Sequence, residues 1–209
     1  MDDEFNDSSF DVAHWTKDDY SGLMTIVEDA VGLKLTDTSY NEISTITKAV
    51  PSSPYTIWTK IDIYGGTYDG WGRAGIVLQE GNFTQKYFLA ELQITGANDH
   101  GAIPVTTEMW DNYNTPDVTE ASWGQKYYSP SIWMRVRVSG VTVSVDLSTD
   151  GLSWQYAGSD DLTFTPAFIG LFITQADQTD TIVFSFFRVT ASADINQVMY
   201  GRRTMVLIP

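Results

Sequence analysis

The chain has 209 residues, enough for one domain with a sizeable core, and its net charge of −15 sets 27 acidic against 12 basic side chains. Such a balance repels phosphate backbones and anionic lipid, which argues against nucleic acid and membrane surfaces as partners. The absence of cysteine removes disulfides and thiolate metal sites.

The opening segment MDDEFNDSSF lacks the basic start and apolar centre of a secretory signal, and predicts a protein made in a cytoplasm as written. Phe5 to Trp15 reads as a lead-in that tucks aromatic rings under the body. Beyond it, no long segment carries apolar residues at helical spacing, and short β-rich runs recur between Gly, Pro, Asn, Asp and Ser. Strands are predicted at Leu23–Val27, Gly32–Thr36, Ile43–Lys48, Tyr55–Ile63, Gly75–Gln79, Lys86–Ile94 and Val105–Trp110. More follow at Ile132–Val138, Val141–Ser148, Ser153–Ala157, Ala167–Thr174 and Thr181–Thr190. So many strands without a helical layer imply a sandwich or barrel.

Two of these runs are especially clear. In Tyr55–Ile63 the residues Tyr55, Ile57, Ile61 and Ile63 alternate with Thr56, Trp58, Lys60 and Asp62, which predicts one core face and one wetter face. In Ser131–Trp154 two alternating runs flank Ser139-Gly140, the pattern of a tight hairpin, with Val141, Val143, Val145 and Leu147 expected on one face. Asp150-Gly151 marks the next reversal. The tail INQVMYGRRTMVLIP is basic and apolar on an acidic body. Two readings stand for residues 191–209: a docking tail for a neighbouring subunit, using Tyr200, Arg202, Arg203, Met205 and Leu207, or one more edge strand.

Several of these segments, in this order, carry a family likeness. They are FNDSSFDVAHW at Phe5–Trp15, GLKL at Gly32–Leu35, PYTIWTKIDI at Pro54–Ile63, WMRVRVSGVTVSVDLSTDGLSW at Trp133–Trp154, PAFIGLFIT at Pro166–Thr174 and VFSFFRVT at Val183–Thr190. Together they resemble the concanavalin A-like lectin/glucanase superfamily, including laminin-G-like modules and the accessory domains of some β-xylosidases. The resemblance implies an all-β jelly-roll sandwich of two curved antiparallel sheets over residues 1–190; it does not imply an activity, because the fold hosts lectins, glycosidases and inert spacers. Related domains often carry an acidic residue before the last aromatic-Arg pair. Ser185 stands there in this chain, which weakens any calcium or ligand role borrowed from the family.

An enzyme is not expected. Glycoside hydrolysis needs two carboxyl groups about 5–5.5 Å or ~6.5–9.5 Å apart, and the Glu-x-Asp-x-x-Glu strand motif of glucanases is missing. Glu108 and Asp111 are the nearest pair with aromatic flanks, but a spacing of three puts them on opposite strand faces. Glu91 reads as a strand-surface charge. His14 and His100 have neither a nucleophile-elbow serine nor a zinc ligand set beside them.

Sugar binding is a stronger candidate, since aromatic rings stack on sugar C–H groups while short polar side chains meet the hydroxyls. Two clusters fit: Tyr64, Tyr68, Asp69, Trp71 and Arg73, and Trp110, Asp111, Asn112, Tyr113 and Asn114. Trp58 and Asp62, on the wetter strand face, extend a possible groove. Jelly-roll loops are ordinarily aromatic, so the same residues also suit lids on the core. Asp160-Asp161 and Asp177 to Asp180 leave calcium open as a bound ion, although loop aspartates are commonly turn formers; no other cofactor is expected.

A short, Met-initiated chain without a signal and with this tail also resembles a bacteriophage virion protein. The leading expectation is thus a non-enzymatic virion structural protein, at the head or tail, partnered with other virion proteins or with itself (a trimer, for example). Its jelly roll would touch host-surface glycans. The alternative is an extracellular carbohydrate-binding module of a polysaccharide-degrading system.

Overall fold

The computed structural model describes residues 2–38, 42–64, 72–82, 84–94, 103–112, 115–116, 121–127, 131–174 and 181–191; some strand residues, among them Tyr64, Glu108, Trp110 and Asn112, are described by backbone alone. Among the described residues there are strands and no helix. In chain order they are β1 (Thr16–Asp18), β2 (Thr25–Asp29), β3 (Gly32–Thr36), β4 (Ser44–Ala49), β5 (Tyr55–Tyr64), β6 (Gly72–Gln79), β7 (Tyr87–Ile94) and β8 (Ile103–Asn112). The remainder are β9 (Thr115–Pro116), β10 (Ala121–Tyr127), β11 (Ser131–Ser139), β12 (Thr142–Ser148), β13 (Gln155–Asp161), β14 (Phe168–Thr174) and β15 (Thr181–Ala191).

They form two antiparallel sheets. One has eight strands, in the order β1-β4-β14-β6-β7-β8-β10 with β9 beside β8; the other has seven, in the order β13-β12-β11-β5-β15-β3-β2. Consecutive hairpins are joined by pairings between strands distant in sequence (β4–β14, β6–β14, β5–β11, β5–β15 and β3–β15), the crossing expected of a jelly roll. The inner faces meet in one continuous core, with Ile46, Ile76, Leu78, Phe88, Ile169 and Leu171 on one side and Leu33, Ile57, Ile61, Met134, Val145 and Phe184 on the other. This is the all-β sandwich of two antiparallel sheets that the alternating patterns imply.

The lead-in belongs to the fold. Asp3 exchanges backbone hydrogen bonds with Phe187 (2.8 and 2.7 Å), and its carboxylate accepts the Trp15 indole N–H at 2.8 Å. Phe5 and Trp15 are thereby buried, and the Trp15 ring meets Phe187 edge-on at 5.1 Å.

Two strands, β2 and β13, start two residues later than expected, and a carboxylate explains each. The Asp19 side chain accepts the backbone N–H groups of Gly22 and Met24 (3.0 and 2.9 Å), so residues to Met24 are spent in a turn and β2 begins at Thr25. Asp150 accepts from Leu152 and Ser153 (2.8 and 2.7 Å), which delays β13 to Gln155. In the β11–β12 hairpin Ser139 pairs with Thr142, so the loop is Gly140-Val141, with Gly140 at φ +62°. Val141 therefore leaves the core face expected for it and is exposed, while Val143, Val145 and Leu147 are buried. The short β1 and β9 and the strand β10 have no alternating apolar pattern and were not foreseen.

Candidate functional site

The outer face of the eight-stranded sheet is the most distinctive surface of the molecule. Register assigns its members: Thr45, Phe172, Gly75 and Glu91 form one row, Thr47, Gly170, Val77 and Leu89 the next, and Phe168, Gln79 and Tyr87 a third. These residues alternate with the core positions Ile46, Leu171, Ile76 and Ala90, so they point away from the sandwich interior. Yet Thr45, Thr47, Val77, Gln79, Tyr87, Leu89, Glu91 and Phe172 are all buried. The face is closed rather than bare.

Its curvature follows from one hydrogen bond. Gln79 Nε2 on β6 donates to Asp18 Oδ2 on β1 at 2.8 Å. These strands are three steps apart in the sheet, about 14 Å on a flat sheet. The sheet must curl toward this side, which makes the outer face concave. Two glycines accommodate the curl. A Cβ at Gly170 would lie 1.9 Å from the Ile46 carbonyl oxygen, and one at Gly75 would lie 2.0 Å from that of Ala90. No larger residue fits without moving a neighbouring strand.

Chemically the concave face has an apolar centre and polar flanks. Ile43, Val77, Tyr87, Leu89 and Phe172 form a cluster separate from the main core. At one flank Gln79 links Asp18, the Tyr87 hydroxyl (3.5 Å) and the Thr45 hydroxyl (3.5 Å). Burial, then the nearby Asp18 carboxylate, pushes the Tyr87 phenol above its ordinary range, so its hydroxyl stays neutral while it accepts from Gln79 Nε2. At the other flank the Arg73 guanidinium lies 3.7 Å from the Glu91 carboxylate, and the Glu91 side chain is wholly buried. Glu91 is thus not the strand-surface charge expected: its parity on β7 sends it to a covered face, where a guanidinium compensates the cost of burying its charge.

The sequence-predicted positions fall in three places. Tyr64 ends β5, pairing with Thr181, and Gly72 opens β6, so the segment that carries Tyr68 and Trp71 starts and finishes at the Arg73 end of the sandwich; Tyr68 and Trp71 themselves lie outside the described residues. Trp110 stands opposite Tyr87 and Asn112 opposite Thr115, at the far end of the same sheet. Gly72 pairs with Ile94, seven positions from Tyr87 along β7, about 23 Å at strand rise. The strand ends that flank the two aromatic segments are therefore well separated along the sheet. Tyr113 lies outside the described residues, as do Tyr200, Arg202, Arg203, Met205, Leu207 and His100.

Trp58 and Asp62 sit on the other sheet, on its outer face, and the wetter environment expected for them is not found. Trp58 is 7% exposed and Asp62 4%. The Trp58 ring meets Trp154 edge-on at 5.9 Å, with the Arg135 guanidinium 5.8 Å away. Asp62 accepts Lys60 Nζ (2.7 Å), the Ser185 hydroxyl (3.1 Å) and the Ser131 hydroxyl. Ser185, the departure from the family pattern, is a donor to this carboxylate.

For a metal, the described residues contain no group of three or more His, Cys, Asp or Glu side chains placed to hold one. Asp161 accepts from Thr142 at 2.8 Å and Asp160 from the Asp161 N–H at 2.8 Å; Asp177 to Asp180 lie outside the described residues. His14 pairs with Asp11 at the rim of a cavity of about 630 Å³ that is also lined by Asp2, Asp3, Asp7 and Lys48.

The sequence singled out Arg73 on this face but missed Glu91, Gln79, Tyr87 and Asp18. Glu91, Gln79 and Tyr87 lie in ordinary β-runs and Asp18 in a strand with no apolar pattern, and only the register brings them to one surface.

Two curved antiparallel sheets with a polar concavity on one outer face define a lectin-like jelly-roll domain. The chain belongs to the family of β-xylosidase C-terminal concanavalin A-like domains, whose model matches residues 3–190. Among solved structures, the GH43 protein BlXynB of Bacillus licheniformis is similar at 15% identity with a TM-score of 0.66, over 91% of this chain and 39% of that one. The xylan β-1,4-xylosidase of Bacillus halodurans C-125 is similar at 15% identity and a TM-score of 0.67, over 90% and 38%. The chain thus spans about two-fifths of the length of these enzymes. The carbohydrate-binding module CBM66 of Bacillus subtilis matches over nearly its whole length: 14% identity, a TM-score of 0.55, 86% of this chain and 94% of that one. No curated protein matches the sequence.

Proposed function

We propose that this domain is a non-catalytic accessory module that binds a glycan on the concave face of its eight-stranded sheet, within a polysaccharide-degrading system. One observation carries the reading. Polar and charged side chains (Arg73, Glu91, Gln79, Asp18) are gathered on the concave outer face of one sheet, where the Arg73 side chain keeps part of its surface exposed. A buried charge pair is weak evidence for stability, and this one leaves part of Arg73 exposed as a donor. Arg73 supplies donors at the margin of the face, and the buried Glu91 fixes the guanidinium in place for a ligand hydroxyl. Membership in a family of accessory domains, and the likeness to a protein named as a carbohydrate-binding module, support this alternative over the virion reading. The candidate docking residues of the tail add nothing to the virion reading, because they lie outside the described part of the chain.

The relatives named as xylosidases make xylo-oligosaccharides the first ligands to try. A glycan array that includes them should give saturable binding to the intact protein. Arg73→Met should weaken it by about tenfold or more, the loss of a charge-assisted hydrogen bond. An array without a hit, or affinity unchanged in Arg73→Met, would overturn the proposal. Hydrolysis of aryl xylosides by the isolated chain would overturn its non-catalytic part.

A further inference from the structure

The outer face of the seven-stranded sheet, opposite the concave site, carries a second cluster whose hydrogen-bonding account does not close. Trp58 on β5 is paired in register with Arg135 on β11, which is paired with Asp146 on β12, which is paired with Tyr156 on β13. The Arg135 guanidinium stacks over Trp154 at 4.4 Å and lies 5.8 Å from the Trp58 ring. Within this stack the indole N–H groups of both Trp58 and Trp154 are buried and meet no acceptor among the described residues. A buried donor left without an acceptor is uncommon and needs an explanation.

Charge is unbalanced in the same direction. Asp146 Oδ2 accepts Nε–H of both Arg135 and Arg137 at 2.9 Å, and Arg137 adds Nη2 to Oδ1 at 3.0 Å. Two guanidinium groups thus share one carboxylate. Arg135 commits only its Nε, so its terminal amino groups remain as donors beside the two indoles. The cluster is an excess of donors and of positive charge on a chain whose net charge is −15. What the cluster lacks is an acceptor, and its excess positive charge favours an anionic one. The half-buried Trp154 and the exposed Tyr156 stand beside it as ring surfaces.

We infer that this face is a second ligand site, which takes the carboxylate of a uronic-acid sugar. The carboxylate oxygens accept from Arg135 and the indole N–H groups, and the sugar ring lies against Trp154 and Tyr156. The site is independent of the concave-face reading, since it shares no residue with it.

The test is calorimetric titration of the intact protein with trigalacturonate, with xylotriose as the neutral control. Trp154→Phe keeps a ring and deletes the N–H; Arg135→Lys keeps the charge and deletes the fork; Arg73→Met reports on the concave face. Saturable binding of trigalacturonate is expected, weakened about tenfold in Arg135→Lys and several-fold in Trp154→Phe, and unchanged in Arg73→Met. Circular dichroism and thermal melting establish that each variant is folded. No binding of trigalacturonate, or affinity retained in both folded Trp154→Phe and Arg135→Lys, would overturn the inference. Loss in Arg73→Met alone would overturn it too, by assigning the acidic sugar to the concave face.

Discussion

Asp62 illustrates how a single side chain reorganises an expectation. Strand alternation correctly assigns it to the face opposite Ile57 and Ile61, but exposure depends on what the neighbouring strands bring. Lys60, Ser131 and Ser185 close over it. Two residue-scale predictions follow from the carboxylates. Ser185→Asp would replace a donor by a second carboxylate beside Asp62, and thermal melting at pH 7 should show a larger destabilisation than Ser185→Ala. Asp150 is held at about 2 by the N–H groups of Ser153 and Leu152, with the Ser148 hydroxyl next. A folded pKa below the ordinary 3.8 contributes stability that is present above pH ~4 and is lost as the pH falls through about 2. Amide protection factors in the turn 148–154 should therefore fall over that interval, and Asp150→Ala should show the lower protection already at pH 7.

At the scale of elements, β6 and β14 decide the shape of the concave face. Gly75 and Gly170 carry no side chain where neighbouring backbones approach most closely. Gly170→Ala should destabilise the domain by about 3 kcal/mol or more, since the clash is with backbone rather than with a side chain that can turn aside; chemical denaturation measures this. Neither glycine was legible as a curvature device. Gly170 sits within an apolar run and Gly75 within a short predicted strand, and a glycine in a strand gives no indication of which backbone approaches it. By contrast β3, β5, β11 and β12 were legible nearly to the residue, because alternation over a half-covered sheet fixes both the period and the face. The displaced starts of β2 and β13 were not, because side-chain acceptance by Asp19 and Asp150 competes with the ladder. The concave site was legible only at Arg73. Glu91, Gln79 and Asp18 lie on three strands whose order in the sheet no local pattern encodes.

At the scale of the whole molecule, the charge of −15 and the placement of the two candidate faces on opposite sides of the sandwich set the remaining expectations. The last described strand, β15, ends at Ala191. Removal of residues 195–209 should leave glycan affinity unchanged in the array, whereas a docking role for the tail predicts a loss of assembly that light scattering would detect. The concave-face account is tested most directly by calorimetric titration of xylo-oligosaccharides into the double variant Arg73→Met/Glu91→Leu. Replacing both members of a buried ion pair by apolar groups is often neutral for stability, so a purely structural pair and a ligand-binding pair differ in what the variant retains. The account predicts a melting temperature near that of the parent together with loss of binding; a double variant that binds the sugar as the parent does would contradict it.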